Sequence, residues 1–305
     1  MTSQLLTDEK IDFDSYAIPK NEGAHVKPVS DWADEIINKE HVEYSRRGAS
    51  SPWSKIDSHL RFLRGHYTVW AGYNDHGKSA LVSDVMLHLA AQGEKICIAS
   101  LEISSEELIL RMIRQACVVE VPTREQKRNF FDWSRGKIWI YDQQGKVSTT
   151  RIMGVANYTH QVLGINHFVI DNLTCCGIPE DGATALTEQG EFVEQLASHA
   201  HHTGQSVHLV AHVRKPDDEA KQPHRYSIRG AGKITDLAHN VYMVWRNTPK
   251  ETACEEGLDK HKNEPDCLLI VDKNRSGGWR GKIKLWFNIK AMRFMQYEGY
   301  PEVIE

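Results

Sequence analysis

The stretch Ala71 to Ser79, AGYNDHGKS, follows the apolar, β-branched run His66 to Trp70 and precedes the apolar-periodic run Ala80 to Ala91. It therefore reads as strand, glycine-bounded loop and helix. Gly72, Gly77, Lys78 and Ser79 fit the pattern G-x-x-x-x-G-K-[ST], in which loop N–H groups and the first turn of the new helix converge on a phosphate. In such a loop the lysine reaches the β- and γ-phosphates and the serine hydroxyl ligates Mg²⁺. Asn74, Asp75, His76 and Ala80 complete the stretch expected to line a nucleotide. Asp75 sets a negative charge where phosphates should lie, so its carboxylate must turn outward.

Outward from this loop the pattern alternates. Gly93 ends the first helix, and KICIASLE is a buried strand. Ser104 caps a helix through Ala116, and a second helix covers Thr123 to Arg135. Strand KIWIYD (137–142), a helix from Thr149, strand His167 to Asp171, a loop from Thr174 to Thr187, a helix from Glu188 to His202 and strand SVHLVAHV (206–213) follow. Alternation of this kind predicts an α/β fold with a mostly parallel sheet covered by helices on both faces. In the last third, VYMVWRN, DCLLIVDKN, KIKLWFNI and MRFMQYE are strand-like with short polar breaks, which predicts antiparallel strands at one edge. Before the loop, Trp53, Ile56, Leu60 and Leu63 have helical spacing. Residues 1 to 30 lack a period and predict a flexible tail; Ser30 to Glu43 predicts a short helix, joined to the core by YSRRGASSP. The expected division is residues 1–50 as tail and tethered helix, and 51–305 as one domain.

A parallel sheet presents its polar groups at the carboxyl ends of its strands. Asp171 ends the strand FVID, where a carboxylate can hold a hydrated Mg²⁺ beside Ser79. Glu102 ends ICIASLE and can orient an attacking water, although an acid there also suits the first turn of a helix. His212 ends SVHLVA, where its ring can touch a γ-phosphate or serve a structural hydrogen bond. Arg214, Lys215, Lys221, Arg225, Arg229 and Lys233 put basic residues on a Pro- and Gly-containing segment suited to a phosphodiester backbone, interrupted by Asp217, Asp218 and Glu219.

Taken together, AGYNDHGKS, SLEIS (100–104), VIDNL (169–173) and AHVRK (211–215) resemble the motifs of the RecA-fold hexameric replicative DNA helicases, a superfamily that includes the DnaB type, Twinkle and the helicase half of phage primase-helicases. RYSIRGAGKITDLAHNVYMVWRN (225–247) is similar to the family's DNA-facing loop and the strand after it, and VDKNRSGG (271–278) to its K-x-R segment. The resemblance implies a RecA-like phosphate-loop NTPase core that uses ATP or a dNTP with Mg²⁺ and moves 5′ to 3′ on single-stranded DNA as a hexamer. It implies that Lys273 and Arg275 act in a neighbouring subunit's site, that Arg246 and Phe287 sandwich the base, and that Trp32 to Glu43 docks on the next subunit. With no zinc-ligand cysteines and no primase region before the core, the primase and polymerase are expected to be separate proteins. A filament-forming recombination or repair ATPase, and a regulatory nucleotide-binding oligomer without unwinding activity, share most of these motifs and stay open.

Composition sets limits. A net charge of −4 gives no overall basic footprint, so any nucleic-acid site must be concentrated in a few loops. No apolar run approaches a membrane span, and the acidic start, MTSQLLTDEK, lacks a signal core and predicts a cytoplasmic protein, the host's cytoplasm for a phage product, rather than a mitochondrial one. The six cysteines form no C-x-x-C pair and are expected to be reduced and buried. His199, His201 and His202 lack neighbouring ligands and are expected at a solvated helix end.

Overall fold

In order along the chain, the computed structural model contains β1 (Leu5–Leu6), α1 (Ala33–Ile37), β2 (Ala49–Ser50), β3 (Arg61–Phe62), β4 (Tyr67–Gly72) and α2 (Lys78–Ala91). Then come β5 (Ile96–Ser100), α3 (Ser105–Cys117), α4 (Arg124–Ser134), β6 (Ile138–Tyr141), α5 (Thr149–Gln161), β7 (His167–Asp171), α6 (Ala183–Thr203) and β8 (Ser206–His212). The chain closes with α7 (Lys233–Asp236), β9 (Asn240–Arg246), α8 (Thr248–Glu255), β10 (Cys267–Asn274), β11 (Gly281–Asn288) and β12 (Arg293–Met295). The structure describes residues 5–6, 12, 29–37, 47–179, 183–214, 220–230, 232–299 and 303–304.

One sheet runs β1-β6-β5-β7-β8-β4-β9-β10-β11-β12. It is parallel from β1 to β9 and antiparallel from β10 outward. The strands read as continuous apolar runs because both faces are covered. Tyr67, Val69 and Ala71 of β4 face a core built with α5 and α6, while Trp70 faces the core built with α2, α3 and α4. Capping fixes the helix starts: Ser104 with Glu107, and Thr123 with Gln126, form reciprocal capping boxes, and Ser148 accepts from the Arg151 N–H.

Several expectations are corrected. Trp53 to Leu63 is not a helix. Only a single 3₁₀ turn forms at Ser54–Ile56, before the β2–β3 hairpin closes. Trp53, Leu60 and Phe62 bury their side chains from this irregular path, and the Trp53 indole donates to the Phe294 carbonyl at 3.0 Å. The strand holding VYMVWRN joins the two halves of the sheet: β9 pairs antiparallel with β10, as expected, but also parallel with β4, its Thr68↔Asn240 to Gly72↔Val244 register completing the parallel block. Helix α6 starts at Ala183 rather than Glu188, so the preceding loop is shorter than expected. Leu5 and Leu6 pair with Ile140 and Tyr141 as an edge strand within the expected tail, whose remainder lies outside the described residues apart from Asp12 and from Val29 and Ser30, which open the 3₁₀ turn leading into α1. The expected Ser30–Glu43 helix is a 3₁₀ turn at Val29–Trp32 leading into α1, and residues 38–43 lie outside the described residues. Cys254 is exposed, and Cys117 and Cys175 are only partly covered. His199 is buried rather than solvated, with Nε2 2.8 Å from Gln205 Oε1.

Two polar features hold the sheet to its surroundings. Asp84 of α2 is fully buried, where it accepts from Arg293 Nε at 2.9 Å and from the Phe294 N–H at 3.0 Å, which clamps β12 onto α2. On the same face, the Trp70 indole donates to His208 Nδ1 at 3.3 Å, so the His208 proton sits on Nε2, facing His167 Nδ1 at 3.0 Å. Burial, with His167 and His66 nearby, pushes His208 well below the ordinary imidazole range. Burial, then His239 and Arg275, lowers His66 to about 4.

Asp84→Ala leaves Arg293 largely buried without its counter-charge, and chemical denaturation should show a loss of about 3–5 kcal/mol. His66 and His208 are neutral when folded and bind protons more readily when unfolded. Their contribution is therefore complete above roughly pH 6.5 and lost as pH falls from there toward about 4. The melting temperature should drop across that window, and drop less steeply in His66→Asn.

Candidate nucleotide site

The register brings the polar strand ends into one row. Ser100 of β5 pairs with Asp171 of β7, and Gly72 of β4 pairs with His212 of β8. Since the spatial order is β5-β7-β8-β4, Glu102, Asp171, Asn172, His212 and the phosphate loop succeed one another along the same edge. Gly72 must be glycine, because a Cβ there would lie 2.3 Å from the Val244 carbonyl oxygen on β9. Gly77 takes φ 80° at the start of α2, turning the chain so that the helix N-terminus faces the loop's concavity.

Lys78 is buried, and its Nζ donates to the Tyr73 carbonyl at 2.6 Å, bracing the loop from inside. Burial lowers its pKa, opposed by Asp171, Glu102 and Asp75. Asp75 adopts φ 60° and is exposed, and its charge acts on Lys78, His76 and His212. Asn74 is likewise exposed. His76, by contrast, is buried against Tyr73, accepts from the Arg246 N–H at 2.9 Å, and is lowered to about 4 by burial with help from Lys78 and Arg246. Its role in the loop is to brace it on β9.

Asp171 is 7% exposed and is hydrogen-bonded by Ser79, while its Oδ1 is buried with no hydrogen-bond partner among the described residues. Burial raises its pKa, with Ser79, Arg111 and Lys78 opposing. A serine hydroxyl beside a carboxylate with a spare buried oxygen is the hard-oxygen pair that a hydrated Mg²⁺ takes. The residues therefore fit that ion.

Asn172 was not singled out from the sequence, and it joins the two neighbouring groups. The Thr174 N–H can only donate, so the atom it meets at 3.0 Å is Oδ1, which also accepts from the Thr174 hydroxyl. The amide nitrogen is thereby turned the other way, where it donates to Glu102 Oε2 and, at 2.9 Å, to His212 Nε2. His212 is neutral, lowered by burial and then by Lys78, and its proton sits on Nδ1. The available signal was a second polar residue directly after a strand-ending acid.

Two expected groups lie elsewhere. Lys273 and Arg275 sit at the amino ends of the parallel strands: Asn274 pairs with Asn240, which pairs with Thr68. That is four strand residues, roughly 13 Å, from the loop end of β4. Lys273 Nζ donates to the Thr235 and Asp236 carbonyls at 2.9 and 2.8 Å, and Arg275 to the Asp236 carbonyl at 3.2 Å. Arg246 ends β9 near the loop but pairs with Glu251 at 2.5 Å, and Phe287 packs on Phe294 with ring centroids 4.8 Å apart.

The basic segment folds back on β8. Arg214 N–H donates to Ser227, Arg229 N–H to His212, and Val213 bridges Ile228. Arg214, Lys221 and Arg229 are exposed, and Arg225 lies over the exposed Tyr226 ring. Lys233 pairs with Glu194 at 2.5 Å, and Lys215 lies outside the described residues. The Tyr73 hydroxyl donates to the Lys221 carbonyl at 3.2 Å, linking this segment to the phosphate loop.

The family model of the DnaB-like helicase C-terminal domain matches residues 48–296. Among solved structures, one isolated ATPase domain aligns with a TM-score of 0.71 and 16% identity, covering 91% of this chain and all of that one. A DnaB-like replicative helicase, described with its interactions with primase, aligns at 0.70 and 17%, covering 90% of this chain and 68% of its own. At these identities the two structures establish a shared RecA-like fold.

An unpartnered buried carboxylate oxygen costs stability that Mg²⁺ can offset. Asp171→Asn should therefore raise the melting temperature in Mg²⁺-free buffer and lose the further rise that Mg²⁺ and nucleotide give the unmodified protein, as read by thermal denaturation.

Proposed function

This chain belongs to the DnaB-like helicase C-terminal domain family, and we propose that it is the ATP-driven motor of a replicative DNA helicase that works as a hexameric ring. Residues 51–305 form the motor, to which Leu5–Leu6 and Ala49–Ser50 add short strands, and the rest of 1–50 is the tail and tethering helix. The observation that carries this reading is the placement of Lys273 and Arg275 on the far side of the sheet from their own phosphate loop. From there they would act on a nucleotide bound to another copy. A site shared between subunits links hydrolysis to subunit movement, as a translocating ring requires.

In this reading the loop N–H groups and Lys78 bind the phosphates of ATP or a dNTP, and Ser79 and Asp171 hold Mg²⁺. The ion, when bound, neutralises charge developing on the phosphoryl oxygens. Glu102 orients the attacking water, His212 senses the γ-phosphate, and Arg246 and Phe287 flank the base. The neighbour's Arg275, with Lys273, stabilises the charge of the transferring group, a contribution of about 10³ to 10⁵ in rate. Leaving the Thr235 and Asp236 carbonyls to do so would loosen the end of the basic segment. That segment, with Arg214, Lys215, Lys221, Arg225, Arg229 and Lys233, is the single-stranded DNA contact, and movement is 5′ to 3′. Primase and polymerase are separate partners, and the site of action is the cytoplasm; among the described residues, no helix is long and apolar enough to cross a membrane.

Native mass measurement with Mg²⁺ and a non-hydrolysable ATP analogue should give six copies, retained when single-stranded DNA is added. Open filaments of indefinite length would favour a recombination-type ATPase. Nucleotide-dependent assembly with no turnover would favour a regulatory oligomer.

A further inference from the structure

The amide of Asn172 occupies the one strand end lying between Glu102 and His212, and it is 1% exposed. Its oxygen is held by two bonds to Thr174 on the 3₁₀ turn Leu173–Cys175, so the amide plane cannot rotate without breaking both. Its nitrogen bonds Glu102 and His212 together. A planar group fixed at one end and shared at the other makes the two acceptors move as a pair. His212 is tied in turn to the basic segment, through its carbonyl and the Arg229 N–H at 2.9 Å, and through the adjoining Val213–Ile228 bridge.

We propose that Asn172 is a positioning residue that makes the placement of Glu102 depend on that of His212, so that γ-phosphate and DNA, both read at the end of β8, set the hydrolytic carboxylate. The proposal rests on the hydrolytic role given to Glu102 above. The amide is too deeply buried to serve a partner, and its oxygen alone would satisfy the Thr174 N–H. The two donated bonds are thus separable from the local fold. Asn172→Asp keeps the acceptor for Thr174 and removes both donors, while Asn172→Ala removes everything.

The test uses the full assembled chain with saturating oligo(dT) and Mg-ATP. Both variants should lower kcat about tenfold or more, the usual scale for losing a group that orients a site. KM for ATP, and the Kd of a fluorescent non-hydrolysable ATP analogue, should stay within about threefold. On a Glu102→Gln background the same substitutions should change the residual rate less than about twofold, because their effect passes through Glu102. Asn172→Asp turning over like the unmodified protein, or an equal fold-loss on both backgrounds, would overturn the proposal even if Asn172→Ala does not fold. Glu102→Gln at the full rate would instead remove the hydrolytic reading on which the proposal stands.

Discussion

Parallel pairing of β5, β7, β8 and β4 is the constraint from which the site follows. Each strand enters the sheet at one end and leaves at the other, so whatever residue follows the apolar run is delivered to the same edge. Had one of these strands been reversed, Glu102, Asp171, His212 and Gly72 could not form a row. The helical crossovers between these strands set the direction, and the helices bury β4 on both faces, with α5 and α6 on one side and α2 to α4 on the other. The antiparallel strands begin only at β10, and that reversal carries Lys273 and Arg275 to the opposite edge.

Much of this was legible from residue order. Continuous apolar runs separated by capped helices revealed a parallel sheet, and the glycine-bounded Lys-Ser pair falls, as expected, where β4 turns into α2. Strand-ending acids were visible because a charge after an apolar run has few places to go. Other features were not legible for identifiable reasons. Trp53, Leu60 and Leu63 have helical spacing by coincidence, since an irregular path through a 3₁₀ turn, closed by a hairpin of two-residue strands, can bury the first two equally well. The direction of β9 is a property of its pairing with β4, invisible in the composition of VYMVWRN. Asn172 does not stand out in the sequence because its importance lies in having partners beyond two different strand ends. His76 looked like a ligand of the loop but braces it from below by accepting from the Arg246 N–H.

The polar groups at this edge are arranged under tension between stability and use. Asp171 holds a buried oxygen with no partner among the described residues, and Lys78 spends its ammonium on the Tyr73 carbonyl. Both are arrangements that a phosphate and a hydrated cation would improve. On the far edge, Lys273 and Arg275 occupy the last carbonyls of α7, the short helix that ends the basic segment. The two edges are therefore connected to the same stretch of chain: one through His212, Tyr73 and the segment 220–230, the other through α7. Under the proposed function, the far edge would serve a neighbouring copy and the near edge would be served in turn.

Mixing subunits tests that central claim directly. Lys78→Ala and Arg275→Ala chains, each inactive alone, are combined before assembly, and ATP turnover with single-stranded DNA is measured against mixing ratio. A site completed by two copies predicts that turnover returns in the mixture, because an intact phosphate loop from an Arg275→Ala chain meets an intact Arg275 from a Lys78→Ala chain. Mixtures as inactive as their components, or an Arg275→Ala chain that hydrolyses normally while assembled, would contradict it.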